Sequence, residues 1–436
     1  MLLSFRFANH RSFADEQQLN FTPVYAPAGE SPDSRLSVRV VGIFGGNASG
    51  KSNLLHALSY MRRMAIYSDR AVEPGLGISP NREPFRLDPA VAETPSRYTV
   101  DLHLNGVRHT YGFTVDDDRV VEEWLFHYPL KKKRRVFERE GDNFTWGEES
   151  KRNDLERVAA ITAPTALFLS TIARFNRRAE GADRDEPQPL HDVYRWFFRT
   201  RIRSRPGLRP RNLGAVWSDL GDDRAAIVDL LRAADVGIVD VTVHSDPPQE
   251  LFELDDVDAD SPVTTPARPR KRLLFTHRGP TGLAILGYQD ESTGTQQLLD
   301  LAIDASWVLN RGGVLAVDEI DASLHPMLTA KLIGLFQSPV TNPAHSQLIF
   351  TSHDATLLGT FDTEEVLSRD EIWFTEKAKD GTSSVYPLTD FKPRREGENR
   401  QRRYLNGNYG GVPDISTYLF ERALATREAT EGDGEE

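Results

Sequence analysis

From Leu36 to Phe44 the chain reads LSVRVVGIF, a mostly apolar, β-branched run that ends at glycines and predicts a buried strand. A helix is predicted to follow from Gly50 to about Met64. Between Tyr98 and Trp146 the pattern shifts to short alternating segments, YTVDLHL, HTYGFTV, VVEEWLFHY, RRVFERE and NFTW. Asn105-Gly106, Asp116 to Asp118 and Gly141-Asp142 separate them, so this stretch predicts an antiparallel sheet of hairpins. From about Asp154 to Asp240 apolar residues recur at three- and four-residue spacings, as in Ala226, Val228, Leu230, Leu231 and Ala234, and predict helices. Ser245 to Arg270 holds hardly any apolar residue and reads as an exposed linker. Strand and helix then alternate from Leu273 to about Leu388, before an acidic tail from Arg427 to Glu436. The expected organisation is an N-terminal lobe over residues 1–146, a helical insertion with the acidic linker over 147–272, and a C-terminal lobe over 273–436.

Residues 45 to 52, GGNASGKS, fit the phosphate-loop pattern and stand where its mechanism requires, after a buried strand and at the start of a helix. Glycines let successive N–H groups turn toward phosphate oxygens, and the helix N-terminus adds about half a positive charge. Lys51 is expected to reach the β- and γ-phosphates and Ser52 to ligate Mg²⁺. Gly45, Gly46, Asn47, Ala48, Ser49, Gly50, Lys51, Ser52 and Asn53 are therefore the candidate nucleotide contacts.

Far downstream, GGVLAVDEIDASLHP sets four apolar residues, Val314 to Val317, directly before Asp318 and Glu319. Beside a phosphate loop, Asp318 is expected to hold Mg²⁺ and Glu319 to polarise an attacking water. Upstream of it, ESTGTQQLLDLAIDASWVLNRGG predicts a helix closed by Gly312, with Ser292, Thr293, Gly294 and Thr295 at its start. Those residue types are ordinary N-cap chemistry and equally suit a phosphate contact. The strand SQLIFTSHD leaves His353 just past its end, where open α/β sheets bind ligands and a γ-phosphate sensor would stand.

Composition narrows the class. No cysteine occurs among the 436 residues, which excludes disulfides, thiolate metal sites and a cysteine nucleophile. The start MLLSFRFANHRSF lacks the apolar core of a secretion signal and no segment is long and apolar enough to span a membrane, so a cytoplasmic chain without membrane partners is expected. A net charge of −12 spread evenly would disfavour nucleic acid, but its distribution removes that objection. Residues 246–260 hold seven acids and no base, and 421–436 hold six acids against two bases, so these two segments carry eleven of the twelve excess negative charges. Arg195 to Arg211, RWFFRTRIRSRPGLRPR, carries seven arginines and no acid beside Trp196, Phe197 and Phe198, a candidate surface for nucleic acid.

The order Lys51, Ser292, Asp318-Glu319, His353 resembles the ABC/SMC class of ATPases. GGNASGKSN resembles its Walker A motif, ESTGTQ a variant signature, VLAVDE Walker B, DASLHP the D-loop and FTSHD the H-loop. FANHRSF resembles the first strand of RecF and SMC heads, where an arginine in the position of Arg11 lies near the nucleotide. PFRLD, VFERE and YLNGNYGGVPDI are similar to segments of stand-alone AAA-family ATP-binding proteins of the RloA/AbiL type from bacterial anti-phage and restriction-linked loci. The resemblance implies an α/β, ABC/SMC-like P-loop ATPase head with an antiparallel β subdomain and a helical insertion. It implies ATP and Mg²⁺ as cofactors, with Glu319, His353 and Lys51 catalytic, Ser52 and Asp318 on the metal, and Arg11, Ser292 and Gly294 among the nucleotide contacts. It also implies a homodimer or higher homo-oligomer closed around ATP, Ser292 and Gly294 acting across the interface. The class's Q-loop glutamine has no counterpart, since no Gln stands between Gln18 and Gln188. Two functions are expected: regulation of a separately encoded effector, a nuclease or toxin, in anti-phage defence, or RecF/SMC-like DNA repair and maintenance.

Overall fold

A computed structural model describes residues 1–25, 36–70, 81–148, 153–178, 188–203, 213–221, 223–234, 237–245, 271–361, 363–394, 397–413 and 422. The acidic tail, most of the acidic linker and the second half of the arginine-rich run lie outside the described residues.

The chain opens with β1 (Leu2–Ala8), β2 (Gln17–Asn20) and β3 (Val40–Phe44), followed by α1 (Lys51–Tyr67) and a short α2 (Pro89–Glu93). Then come β4 (Ser96–Leu104), β5 (Val107–Val115), β6 (Val120–Tyr128), β7 (Arg134–Glu140) and β8 (Asn143–Trp146). The middle of the chain holds α3 (Asn153–Ala160), α4 (Phe168–Arg178), α5 (Gln188–Arg199), β9 (Arg201–Arg203), α6 (Leu213–Ser218), α7 (Asp223–Ala233) and β10 (Ile238–Ser245). The remainder runs β11 (Lys271–Gly279), β12 (Gly282–Gly287), α8 (Thr293–Arg311), β13 (Val314–Val317), α9 (Pro326–Gln337) and β14 (Gln347–Ser352). A two-residue hairpin of β15 (Thr360–Phe361) and β16 (Glu364–Glu365), then β17 (Ile372–Lys377), β18 (Ser383–Pro387) and α10 (Arg400–Leu405) complete it.

Two large sheets organise these elements, beside a three-stranded antiparallel sheet of β10, β11 and β12. The predicted hairpins, β4 to β8, are joined by β1 and β2 in a seven-stranded sheet of order β2-β1-β4-β5-β6-β7-β8, antiparallel throughout. A six-stranded sheet runs β18-β17-β3-β14-β13-β9, parallel except at its β18 edge. β3, β13 and β14 are buried at every position, as expected of parallel strands covered on both faces. Their residues alternate between two cores. Val41, Ile43, Val314, Ala316 and Ile349 join one with α1, α3 to α5 and the antiparallel sheet. Val40, Phe44, Leu315, Val317, Leu348 and Phe350 join the other with α7 to α9 and β10 to β11. The result is an α/β head carrying an antiparallel β subdomain.

Three expectations change. The strand predicted over Leu36 to Phe44, β3, is shorter and begins at Val40. The stretch read as helices contains β9, a three-residue edge strand paired in parallel with β13, and ends in β10 rather than continuing as helix to Asp240. Pairing with distant strands decided both. Residues 147–272 also divide between the cores: α3 to α5 pack beneath the antiparallel sheet with α1, whereas α6, α7 and β10 join the second core.

Candidate functional site

Register brings the motifs together. Phe44, the last residue of β3, lies opposite Ser352, the last of β14, and Val317 lies opposite Phe350. The phosphate loop, Asp318 and His353 therefore all emerge at the C-terminal edge of the parallel sheet, the edge at which open α/β sheets bind ligands.

The loop geometry explains its glycines. Gly50 caps α1 at φ 116°, a left-handed conformation in which a Cβ would also stand 2.8 Å from the Ser383 hydroxyl. Ala48 is held at φ 60°. Lys51 is buried, and its Nζ donates to the carbonyls of Gly45 at 2.7 Å and Gly46 at 2.9 Å. Burial lowers its pKa to about 8, while Asp318, Glu319 and Asp321 oppose the shift. Ser49 is buried, and its hydroxyl is engaged 2.7 Å from that of Thr375 on β17.

Asp318 accepts from the Ser52 hydroxyl at 3.1 Å and the Thr351 hydroxyl at 2.6 Å, both on Oδ1. A hydroxyl and a carboxylate meeting at the start of α1 form a hard-oxygen pair of the kind Mg²⁺ takes. Glu319 sits at φ 53°, pinned where its N–H donates to Thr351 Oγ1 at 2.8 Å. A left-handed glutamate is costly, and such strain concentrates at functional positions. His353 stands between the two motifs: Nδ1 is 3.4 Å from Lys51 Nζ, and Nε2 is 3.6 Å from Glu319 Oε1. An Nδ1 that accepts from a lysine leaves the proton on Nε2, facing the carboxylate.

Arg11 is also left-handed at φ 51°. Its Nε donates to Glu83 at 2.7 Å, and its guanidinium reaches Asn53 Oδ1 at 3.4 Å on the first turn of α1. His56 lies 3.6 Å from Glu83 on the other side, with its pKa lowered by burial and by Arg11 to about 4, so it is neutral and leaves Glu83 to balance Arg11.

Ser292 and Gly294 stand apart from this cluster in their contacts. The Ser292 hydroxyl accepts from Thr295 N–H at 3.1 Å as the N-cap of α8. A Cβ on Gly294 would meet the Ser323 carbonyl at 2.7 Å, so glycine is required for α8 to approach the turn after Glu319. That turn holds Ser323 at φ 60° and leaves Asp321 Oδ1 buried without a partner among the described residues.

Three contributors escape sequence reading. Thr351 and Thr375 are strand residues whose hydroxyls reach Asp318 and Ser49 only through sheet register. The third is Gly410 to Pro413. Gly410 and Gly411, at φ 67° and 65°, turn the chain so that Pro413 N would lie 3.1 Å from a Cβ on Gly46 and a Cβ on Gly411 would lie 3.7 Å from the Gly45 Cα. Tyr404 and Tyr409 hold this loop by stacking on Phe374, at 5.4 and 5.5 Å. Paired glycines mark a turn in sequence, but not its landing place.

Among the described residues no helix is long and apolar enough to cross a membrane, and no group of three or more acidic or histidine side chains is placed to hold a metal. Similar folds occur in an SMC head bound to the C-winged helix domain of ScpA, with 14% identity, TM-score 0.43, and 90% of this chain and 99% of that chain covered. The SMC head domain from Thermotoga maritima gives 13% identity, TM-score 0.38, and 88% and 98% coverage. An SMC head with an extended coiled coil, bound to the C-terminal domain of ScpA derived from Pyrococcus furiosus, gives 13%, 0.38, and 90% and 97%. Comparison with curated proteins gives no match. A sequence profile described as "AAA domain, putative AbiEii toxin, Type IV TA system" matches residues 40–359, which span the phosphate loop, Asp318-Glu319 and His353. With more than half of its length matched, the chain belongs to this AAA-domain family.

Proposed function

We propose that this chain binds and hydrolyses ATP in a homodimer and uses that cycle to regulate a separately encoded effector, a nuclease or toxin, in anti-phage defence. The observation that carries the ATPase reading is the meeting of Lys51, Ser52, Asp318, Glu319 and His353 at one sheet edge, from segments up to 302 positions apart. Lys51 gives up its carbonyl contacts to the phosphates and neutralises the charge that develops on them. Ser52 and Asp318 would hold Mg²⁺, which supplies further charge neutralisation when bound. Glu319 orients the attacking water and takes its proton, while His353 positions Glu319 and reports the terminal phosphate.

The dimer reading is supported by the region around α8. The exposed, strained Ser323 turn and the close approach of α8 to it at Gly294 make a surface suited to a second copy's nucleotide, with Ser292 and Gly294 acting across the interface. The defence role draws on the family's toxin description and on the resemblance in the YLNGNYGGVPDI segment.

The test is Glu319→Gln. Turnover should fall by about 10²- to 10⁴-fold, the usual share of a general base, while ATP binding persists and the ATP-bound dimer becomes longer-lived in sedimentation. Unchanged turnover removes Glu319 from the reaction, and a monomer with and without ATP ends the dimer reading. Copurification of the chain with its operon neighbours, followed by mass measurement, tests the effector.

A further inference from the structure

The arginine-rich run does not form one surface. Trp196 and Phe197 are 4% and 0% exposed and belong to the core beneath the antiparallel sheet. Phe198, by contrast, is 48% exposed, and Arg195 is exposed one helical turn before Arg199. Where α5 passes into β9, these side chains meet the last turns of α8. Together Arg195, Phe198, Arg199, Arg201, Trp307 and Arg311 line a cleft of about 520 Å³. A second hollow of about 310 Å³ continues from it, sharing Arg195 and Arg199 and walled by Trp196. The Trp196 Nε1–H is buried there without a partner among the described residues.

Acids balance this cleft only in part. Arg311 has Asp223 at 3.5 Å, and Asp304 pairs with Arg203 while also acting on Arg201. Arg201 lies over the Trp307 ring at 3.8 Å and Arg311 approaches the same ring at 5.2 Å. Asp192 walls the neighbouring hollow and is engaged by the Gln188 amide at 2.8 Å. Arg195 and Arg199 have no carboxylate partner among the described residues. A favourable charge at a helix C-terminus accounts for one arginine on α5 and one on α8, but not for four around shared aromatic surface. Burial, and then the proximity of Arg195 and Arg311, pull the Arg199 pKa below its ordinary value, a sign of crowded cations.

We propose that this cleft binds single-stranded nucleic acid, with Arg195, Arg199, Arg201 and Arg311 on phosphates and Phe198 stacking a base. Two arginines without a carboxylate partner among the described residues, Arg195 and Arg199, beside a half-exposed aromatic ring match a groove that follows a phosphate backbone and takes unstacked bases. An acidic protein segment would use the cations but has no need of the ring. The site lies where β9 begins, at the sheet end opposite Asp318, because Arg201 pairs with Leu315 while Arg203 reaches the last residue of β13. It stands independently of the ATPase reading and is assayed without ATP.

The experiment measures fluorescence anisotropy of a fluorescein-labelled oligothymidylate with the full chain at about 50 and about 200 mM salt, with duplex DNA and polyglutamate as competitors. Wild type should bind the oligothymidylate in a salt-dependent manner and prefer it to both competitors. Arg195→Ala with Arg199→Ala should weaken binding and lower the salt slope by about 0.7 for each arginine removed. Phe198→Ala should weaken binding about tenfold with the slope unchanged. Arg195→Lys with Arg199→Lys should keep the slope, and thermal unfolding midpoints equal to wild type show that the variants are folded. No binding by wild type, equal capture of polyglutamate or duplex, or affinity unmoved in the folded alanine variants would each overturn the proposal.

Discussion

The two sheets bury carboxylates in opposite ways. In the antiparallel sheet, Glu123 is 0% exposed and fully engaged: Tyr111 donates at 2.9 Å, the backbone N–H groups of Phe168 and Leu169 at 2.7 and 3.1 Å, and Arg139 lies 3.8 Å away. Asp101 is similarly enclosed by Ser4, Thr110 and Arg108. Burial pushes its carboxyl up, but those three partners outweigh it and hold Asp101 below the usual range. At the end of the parallel sheet, Asp318 takes both of its hydrogen bonds on one oxygen, and Glu319 is strained, half-exposed and 3.6 Å from His353. A closed network spends its acceptor capacity inside the fold. An open one keeps it for a ligand.

Substitutions should separate these two kinds of carboxylate. The largest effect is expected at Glu123→Ala, which takes the buried carboxylate from Arg139, leaving it its carbonyl partners, and strands two buried N–H groups; a loss of about 3–5 kcal/mol should appear as a lower urea midpoint with an unchanged slope. A loss below about 1 kcal/mol would show that the network is not closed in solution. Asp318→Asn should act on function instead. It keeps an acceptor oxygen for Ser52 and Thr351 but removes the leading carboxylate charge beside the buried Lys51, so the nucleotide-free chain should lose no more than about 1 kcal/mol while ATP turnover is lost. A destabilised and still active variant would erase the contrast.

The smallest effect concerns Lys51 and pH. Its pKa, lowered by burial to about 8, keeps it charged below that pH, and the charge is lost as pH rises. Nucleotide phosphates need the charged form, so affinity for a fluorescent ATP analogue should fall about tenfold between about pH 7 and pH 9, with proton uptake on binding. Folding has the opposite sense. The native state binds this proton less tightly than the unfolded chain, so the penalty is full below about pH 8 and fades as pH rises toward the ordinary lysine value. Affinity that stays flat to pH 9 would place the Lys51 pKa well above 8.

Much of the site was readable because it is local. The phosphate loop needs a strand, glycines and a helix start within a few residues, and α1 begins at Lys51 with the predicted first residue, Gly50, as its cap. β13 spans the four predicted apolar residues, and α8 runs from its Ser292 cap to Gly312. The arginine run was harder to read, because period and composition cannot tell which aromatics of WFF face the core. Trp196 and Phe197 turned inward because α5 packs on α1 and the antiparallel sheet.

The sequence by itself determined the order of the motifs and the residue types each carries, since backbone conformation, caps and short-range hydrophobic period are encoded within a few positions. Only the tertiary structure decided that Thr351 meets Asp318, that His353 stands between Lys51 and Glu319, that Pro413 lies against the phosphate loop and that Trp307 joins Arg201. Those contacts depend on strand register and on packing across tens to hundreds of residues, where many pairings are compatible with the same local pattern and burial of the two shared cores selects one.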